Sequence, residues 1–228
     1  MPPPGNLSGF DTAVAWFRAR VPMDEADFAD LSDALKAQAF HVAGVTQLEL
    51  VTQVWEALDA AITDGTTLDD FKDAIQDKLT SAWGGEQPYR TEAVFRTWVQ
   101  RSYAAGRYET MTSPVVKKLR PYWEFVAIDD SRTSDECSDA NGTLLPVDDP
   151  YWATHNPPLH VNCRSTVISR TPDDALEQGL TQDPSDTPPQ EGFGDPPDRE
   201  FKKDLTGYPP ALVASLKGRE AEDDSDDQ

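Results

Sequence analysis

Two cysteines and one histidine lie close enough along the chain to hold a metal ion together. Cys137 and Cys163 are the two cysteines of the sequence, and His160, one of three histidines, precedes Cys163 by three residues. Zinc in proteins is bound tetrahedrally by thiolate sulfur and imidazole nitrogen. These residues could supply three of four zinc ligands. The fourth would come from a nearby acidic or imidazole side chain: Asp130, Asp135, Asp139 or His155.

The same three residues allow other interpretations. The cysteines could be buried free thiols, or they could form a disulfide after the protein leaves a reducing compartment. Cys163 could also be a nucleophile with His160 as its base, if a third group orients the pair. That arrangement would make the protein a Cys–His hydrolase or, with a metal, a metal-dependent nuclease. No second catalytic motif accompanies it, so we predict a protein that is not an enzyme.

One basic segment stands out in a strongly acidic chain. The formal net charge is -21 at pH 7, which argues against nucleic-acid binding by most of the surface. Residues 89–120 nevertheless hold seven basic side chains and two acidic ones. We predict that this segment contacts double-stranded DNA without sequence specificity, or a partner protein. The contacting residues would be Arg90, Arg101, Arg107, Lys117 and Lys118. The alternative is that they pair with acidic residues of the same protein.

The spacing of apolar residues predicts helices in the first half of the chain and strands after it. Helical spacing extends over Ala13–Phe17, Asp24–Phe40, Val42–Ile62, Thr66–Ala82 and Pro88–Met111. Two later segments, Tyr122–Ile128 and Arg164–Ser169, are rich in β-forming residues. We expect these two strands to form an antiparallel pair on either side of the Cys/His segment.

These patterns predict an α+β fold with three regions. A helical N-terminal region (residues 1–86) is followed by a small antiparallel strand–loop–strand module with a Cys/His knot (87–170) and by a Pro/Asp-rich disordered acidic tail (171–228). Within the tail, residues 201–217 are compatible with a short docking helix. The N-terminus lacks a secretion signal, and no apolar stretch is long enough to span a bilayer. We therefore expect a protein kept in a cytoplasm, without membrane contact.

Residues 89–168 resemble the phage head morphogenesis family, the Mu F-like minor capsid proteins. The resemblance depends on a series of short motifs in a fixed order: Arg96-Thr97, Tyr103, Gly106-Arg107, Trp123, Asp130–Thr133, Cys137, Gly142, Pro157–Ser165 and Val167-Ile168. Many relatives have cysteines where Ser134 and Ser165 stand, and Val161 replaces the usual proline. The resemblance thus implies a four-cysteine metal site that is reduced here to Cys137, Cys163 and His160, with zinc as the possible cofactor.

The resemblance also implies a role and a local structure. Asp130, Arg132 and Arg164 are retained, and they would keep the turn geometry through hydrogen bonds and Arg–carboxylate pairing. The implied role is that of a minor head protein, present in few copies inside the capsid near the portal. It would act in head assembly and in handling packaged DNA. Its partners would be the portal protein or the major capsid protein, and its location the virion, after assembly in the host cytoplasm.

Overall fold

The computed structural model describes residues 9–199 and 201–226, with side chains described up to residue 218. The described residues fall into two units, and each unit is made of two chain segments. Unit 1 comprises residues 9–16 and 92–199, and unit 2 comprises residues 17–91 and 201–226. Each unit takes residues from more than one of the three regions predicted from the sequence. Residues 1–8, 200 and 227–228 of the predicted N-terminal region and tail lie outside the described residues.

The described elements are mainly helices, with five short strands among them. The first part of the chain contains α1 (Gly9–Arg18), β1 (Val21–Pro22), α2 (Glu25–Ala29), α3 (Asp33–Lys36), β2 (Ala39–Phe40), α4 (Leu48–Asp64), α5 (Leu68–Ala82), α6 (Pro88–Thr112) and α7 (Pro114–Leu119). The second part contains β3 (Tyr122–Val126), α8 (Asp135–Ala140), β4 (Leu144–Pro146), a 3-10 turn (Pro150–Ala153), β5 (Thr166–Arg170), α9 (Pro172–Gln178) and α10 (Pro210–Asp226). The predicted α+β class is confirmed. No helix among residues 9–199 and 201–226 is both long and apolar enough to cross a membrane.

The helix predicted over Asp24–Phe40 is wrong as a single element. Asp24 accepts hydrogen bonds from two backbone N–H groups and so caps a helix of only five residues, α2. A second short helix, α3, follows, and the segment ends in β2, which pairs in parallel with β1. The predicted apolar positions Phe28, Leu31 and Leu35 still share one cluster. The periodic pattern identified the buried side chains but not the breaks between the elements.

The last helix completes the apolar core of unit 2. Tyr208, Leu212 and Leu216 are at most 5 % exposed and pack with Val21 and Met23. The Tyr208 hydroxyl also donates a hydrogen bond to the carbonyl oxygen of Leu35 (3.1 Å). The spacing of four residues places Leu212 and Leu216 on one face of the last helix, and Tyr208 lies just before that helix begins. A docking helix is therefore present in the predicted region, but it covers Pro210–Asp226 rather than residues 201–217.

A three-stranded antiparallel sheet lies in unit 1 in the order β4-β3-β5. The predicted pairing of the two long strands is confirmed, with Trp123 opposite Ser169. Trp123 and Phe125 of the central strand are buried, and the Trp123 ring meets Trp152 edge to face at 5.7 Å. Strand β4 was not predicted, because three residues that end in proline carry no alternating pattern.

The long helix α6 matches its predicted range of Pro88–Met111 to within one residue. Within unit 1, its Gly106 lies against the first turn of α1. A Cβ atom at position 106 would collide with the backbone carbonyl of Gly9 and would lie 3.2 Å from the Cβ of Ala13. Glycine is therefore required for the close approach of these two helices.

Residues 179–199, which we call the strap, are ordered along unit 1. Thr181 pairs with Leu144 of β4 through two hydrogen bonds, N–H to carbonyl (3.0 Å) and Leu144 N–H to the Thr181 hydroxyl (2.9 Å). Farther along, Gly194 donates to the carbonyl of Pro158 (3.1 Å) and accepts from the N–H of Asn156 (2.7 Å). The disorder predicted from residue 171 therefore does not describe α9 or the strap. Backbone hydrogen bonds hold the strap, and these leave no apolar signature in the sequence.

Candidate metal centre

Two separate pieces of chain bring the predicted ligands together. Cys137 lies on α8, and His160 and Cys163 lie on the loop that leads into β5. This loop turns sharply at Asn162, whose φ is 62°, and the Asn162 N–H donates to the Thr97 hydroxyl of α6 (2.8 Å). Asparagine tolerates this left-handed conformation better than most residues. The turn lets His160 and Cys163 face the same helix.

The three side chains form a tight group of possible ligands. The Cys137 sulfur lies 3.3 Å from His160 Nε2 and 3.6 Å from the Cys163 sulfur. All three ligand atoms lie within 4.8 Å of one another. Both cysteines are unbridged and nearly inaccessible, with 2 % and 3 % exposure, whereas His160 is half-buried. The structure therefore brings together the three residues that the sequence proposed as ligands.

The surroundings of Cys163 favour its thiolate form. The hydrogen bond from the Cys137 thiol lowers the pKa of Cys163, burial opposes this, and His160 lowers the pKa further. The backbone N–H groups of Leu159 and Ser165 act on the pKa of Cys163 in the same direction. The pKa of Cys137 is raised, first by its hydrogen bond with Cys163 and then by burial. One thiolate is thus stabilised before any cation is present.

His160 is held in the orientation that metal-binding histidines adopt. Its Nδ1 lies 2.8 Å from the carbonyl oxygen of Val161. A carbonyl can only accept, so Nδ1 carries the proton of this bond and Nε2 is left facing the two sulfurs, where it can bind a metal once it is deprotonated. Histidine ligands commonly donate their second ring N–H to a carbonyl in this way. The proximity of Cys163, through a hydrogen bond, raises the pKa of His160.

None of the four residues predicted as a fourth ligand joins the group among the described residues. Asp130 binds Arg164, and the Asp139 carboxylate accepts from the Thr187 hydroxyl (2.7 Å). Two further candidates are also elsewhere. Asp135 is exposed, and the two ring nitrogens of His155 face the Thr154 hydroxyl and the carbonyl of Thr187 in the strap.

The donor set nevertheless fits a zinc ion. Two sulfurs and an imidazole nitrogen are typical zinc ligands, and the backbone N–H groups at Cys163 support a thiolate. An additional polar atom, Ser134 Oγ, is buried beside the group without a hydrogen-bond partner among the described residues. Cys137, His160 and Cys163 would hold the ion. The bound ion would cross-link α8 to the loop before β5.

The predicted turn residues lie next to this group. Arg164 donates two hydrogen bonds to the two carboxylate oxygens of Asp130, at 2.7 Å and 2.6 Å. Asp130 also accepts from the backbone N–H of Arg132 (2.9 Å), and the Arg132 guanidinium lies 3.7 Å from the same carboxylate. These contacts, the hydrogen bond from Arg164 first, hold the pKa of Asp130 well below its usual range. The pairing ties the turn after β3 to the residue that follows Cys163.

Two of the predicted DNA-contacting arginines stack on aromatic rings of their own units. In unit 2, the Arg90 guanidinium lies 4.3 Å from the ring centroid of Trp83 and donates to the carbonyl of Ala43 (2.7 Å). In unit 1, Arg101 lies 5.0 Å from the ring centroid of Phe193 in the strap. Each arginine therefore has a structural role through cation–π contact and hydrogen bonding.

The two predicted lysines lie on α7 and differ in their surroundings. Lys117 forms an ion pair with Asp148 at 2.5 Å. Lys118 is exposed, and the described residues give it neither a hydrogen bond nor an ion pair. Of the five basic residues predicted to contact DNA, Lys118 has the side chain that a phosphate group could contact without breaking an internal contact.

Sequence reasoning missed a set of side chains that cover the outer edge of β5. The carbonyls of Ser165, Val167 and Ser169 alternate along this edge and accept from Gln100 (2.8 Å), Arg107 (3.4 Å) and Arg120 (3.1 Å) respectively. The fifth predicted DNA-contacting residue, Arg107, is thus directed at the sheet. A possible signal was the spacing of basic residues on the helix that precedes the strands, but it does not specify a carbonyl partner.

Comparison with known proteins identifies the family. A family described as phage Mu protein F like protein matches residues 52–168. This span, just over half of the chain, contains β3, β4, most of β5 and all three candidate ligands. The chain belongs to the phage Mu protein F like family. The predicted resemblance is confirmed, and the matched region begins earlier in the chain than residue 89, from which the motifs were read.

Two members of the phage Mu protein F like family show how much of the chain is shared. The proposed capsid assembly protein F of Escherichia phage Mu is 31 % identical in an alignment 186 residues long, which covers 74 % of this chain and 42 % of that protein. The Mu-like prophage FluMu F protein of Haemophilus influenzae is 29 % identical in an alignment 167 residues long, which covers 68 % of this chain and 40 % of that protein. The chain thus spans about two fifths of the length of these relatives. No solved structure matches it.

Proposed function

We propose that this chain is a structural protein of phage head assembly. The observation that carries the proposal is the family match, which covers the whole Cys/His group and the Asp130–Arg164 pair. One relative in this family is named as a proposed capsid assembly protein. The internal cross-links of unit 1 support a structural role, because they stabilise loops without leaving an open cleft around the reactive side chains.

We further propose that it is a minor head protein, with few copies inside the capsid near the portal. Its partner is the portal protein or the major capsid protein, and it contacts the packaged double-stranded DNA without sequence specificity. It is assembled in the host cytoplasm and stays in the virion. These finer statements follow from the family resemblance and from the basic segment around α6 and α7.

Purified particles test the location and the copy number. Mature particles are separated on a gradient, treated with protease and DNase, and analysed by quantitative mass spectrometry against the major capsid protein. We expect a few protected copies per particle. Absence of the protein from particles would contradict the virion proposal. Cross-linking of the same particles, followed by mass spectrometry, tests the partner, since the expected cross-links join this chain to the portal protein or the major capsid protein.

The DNA contact is tested best at Lys118, because its side chain has neither a hydrogen bond nor an ion pair among the described residues. Lys118→Gln is expected to lower non-specific DNA affinity and to reduce the slope of log affinity against log salt by about 1. Lys78→Gln, an exposed lysine on α5, serves as the control and should leave the slope unchanged. Equal slopes for both variants and the unmodified protein would remove DNA contact at Lys118 from the proposal.

Zinc binding at Cys137, His160 and Cys163 is part of the proposed function. Metal analysis of the purified full chain is expected to find about one zinc per chain, lost in Cys163→Ser. His160→Ala should lower the melting temperature and weaken zinc binding while DNA binding persists at temperatures below melting. Absence of zinc from protein purified without chelators and then supplied with zinc would contradict this part of the proposal.

The competing function is a metal-dependent nuclease or Cys–His hydrolase centred on His160 and Cys163. The short distances between these side chains favour it, but their burial does not, since a substrate would have to reach two sulfurs that are 2 % and 3 % exposed. A neighbouring cavity beside α6 and β5 has a volume of only about 20 Å³, enough for about one water molecule. If the protein is an enzyme, the His160→Ala variant should keep the melting temperature of the unmodified protein and lose nuclease or esterase activity.

A further inference from the structure

Ser134 has an unusual position for a serine at the start of a helix. It is the N-cap residue of α8, three positions before Cys137. Serine at this position normally accepts a hydrogen bond from a backbone N–H of the first turn. Here the Ser134 side chain makes no such bond. Its hydroxyl oxygen is buried, and it has no hydrogen-bond partner among the described residues.

The position of Ser134 in the fold brings it close to the Cys/His group. As the N-cap residue of α8 it lies in the same first turn as Cys137, the third residue of that helix. Ser165, which is only 2 % exposed, follows Cys163 by two residues. A buried hydroxyl without a partner is unfavourable, and a bound water molecule or ion is one explanation for such a group in a native protein. A serine therefore lies near each of the two cysteine ligands.

Zinc with three protein ligands keeps a fourth position for an exchangeable ligand, whereas a fully protein-ligated zinc does not. The predicted carboxylate and imidazole candidates for this position all lie outside the group. A neutral serine hydroxyl is not among the usual zinc ligands, but it can hydrogen-bond a ligand that zinc holds. We propose that the fourth coordination position lies beside Ser134 and holds an exchangeable water molecule or small monodentate anion, hydrogen-bonded by the Ser134 hydroxyl. This inference rests on the proposed zinc binding at Cys137, His160 and Cys163.

Cobalt(II) bound in place of zinc makes this position visible, because its visible absorption depends on the ligands. The full-length chain is loaded with cobalt and titrated with azide, a small monodentate anion. We expect a saturable change in the cobalt bands. Ser134→Ala should keep the response but weaken azide affinity several-fold, because the position stays open and the hydroxyl is lost. A cobalt spectrum that is unaffected by azide in the unmodified protein would overturn the inference.

Ser134→Cys tests the location of the position directly. A thiolate at residue 134 should become the fourth ligand, add sulfur-to-cobalt charge-transfer absorption, abolish the azide response and tighten zinc affinity at least about tenfold. The matched control is Ser138→Cys, an exposed serine one turn farther along α8, which should change none of these quantities. If Ser134→Cys left both the spectrum and the azide response unchanged, the position would lie elsewhere and the inference would be wrong.

The outcomes also separate this inference from the zinc proposal. Stoichiometric cobalt binding that is lost in Cys163→Ser, together with an azide-insensitive spectrum, overturns the open position and keeps the zinc site. Failure of the unmodified chain to bind either cobalt or zinc overturns both.

Discussion

Asp130 shows how a single exposed carboxylate can organise the Cys/His segment. It binds Arg164, the residue directly after Cys163, through both oxygens and also accepts from the backbone of Arg132. The side chain of Asp130 is one third exposed, so water screens the pair and its contribution to stability is modest. Its effect is geometric, because it fixes the chain on one side of a possible metal ligand.

Asp130→Asn is expected to lower the melting temperature at pH 7 by at most a few degrees. The pKa of Asp130 is lower in the folded protein than its usual value of 3.8. The carboxylate therefore stabilises the fold fully above about pH 4, and this stabilisation is lost as the pH falls toward the folded pKa. The difference in melting temperature between the two proteins should narrow as the pH is lowered from 7 to about 3 but should not vanish there, because the folded pKa of Asp130 lies well below this range. A difference that is constant over this range would contradict the ion-pair explanation, and Asp135→Asn is the control.

At this scale the sequence predicted the group of three ligands but not its surroundings. Cys163 and His160 are only three residues apart in sequence. The fold was therefore needed only to bring Cys137 next to them. The predicted fourth ligands were chosen by residue type, and all four have other partners or lie in solvent. Ser134 was recognised only as a departure from the family pattern. Its burial and its missing cap bond are visible in three dimensions alone.

The strap is the element that sequence reasoning described least well. Its prolines and acidic residues are typical of disordered segments. In the structure its backbone bonds to Leu144, Leu159 and Pro158, and its Gln190 side chain accepts from the N–H of Val161 (3.0 Å), next to His160. Composition reports how much apolar surface a segment can bury, and the strap depends little on apolar burial. By contrast, α6 was predicted to within one residue because its apolar positions from Val94 to Tyr103 follow the helical period and prolines at 88 and 114 mark its two ends.

Gly194→Ala is expected to detach the strap around that residue. The φ of Gly194 is 89°, and an added Cβ would collide with the carbonyl oxygen of Thr154 and with the Pro189 side chain. Gly192→Ala is a matched control, since its φ is 81° but nothing lies within 4 Å of an added Cβ. Hydrogen exchange of the Asn156 and Gly194 amides should accelerate much more in the first variant. Equal exchange in both variants would mean that backbone strain, rather than the collision, determines the effect.

Gly106→Ala is expected to destabilise unit 1 although alanine favours helices. Helix propensity alone would stabilise the variant by about 1 kcal/mol. The collision with the Gly9 carbonyl should outweigh this and give a net loss of about 1–3 kcal/mol in the free energy of unfolding, as overpacking usually does. Denaturant unfolding measures the difference. Gly85→Ala, where nothing lies within 4 Å of the added Cβ, provides the reference. A Gly106→Ala variant more stable than the unmodified protein would contradict the close approach.

At the scale of the whole molecule, two units are built from four interleaved chain segments. Sequence reasoning divided the chain into consecutive regions, because changes in composition are read in order along it. The return of residues 201–226 to the unit of residues 17–91 depends on three side chains of the last segment, Tyr208, Leu212 and Leu216. A docking helix could be predicted there from the pattern, but not the surface on which it docks.

Leu212→Ala is expected to lower the free energy of unfolding by about 2–5 kcal/mol, the usual cost of a large-to-small change at a buried position. Leu212 is 3 % exposed in the core of unit 2. Leu176→Ala, on α9 and 83 % exposed, should change stability by no more than about 0.5 kcal/mol. Denaturant titrations of the two variants provide the measurement. Similar stabilities would show that α10 does not contribute to the core of unit 2.

The interleaved segments have a consequence for synthesis. Residues 17–91 leave the ribosome well before Leu212, which follows about 120 residues later, on the order of 10 s at ordinary bacterial rates. During that interval the apolar side chains of Val21, Met23 and Ala39 stay uncovered, because the helix that covers them has not yet been made. The nascent protein therefore exposes an apolar surface for several seconds. Any other amphipathic helix at high local concentration, including one from a neighbouring nascent chain, would compete with the chain's own C-terminal segment for that surface.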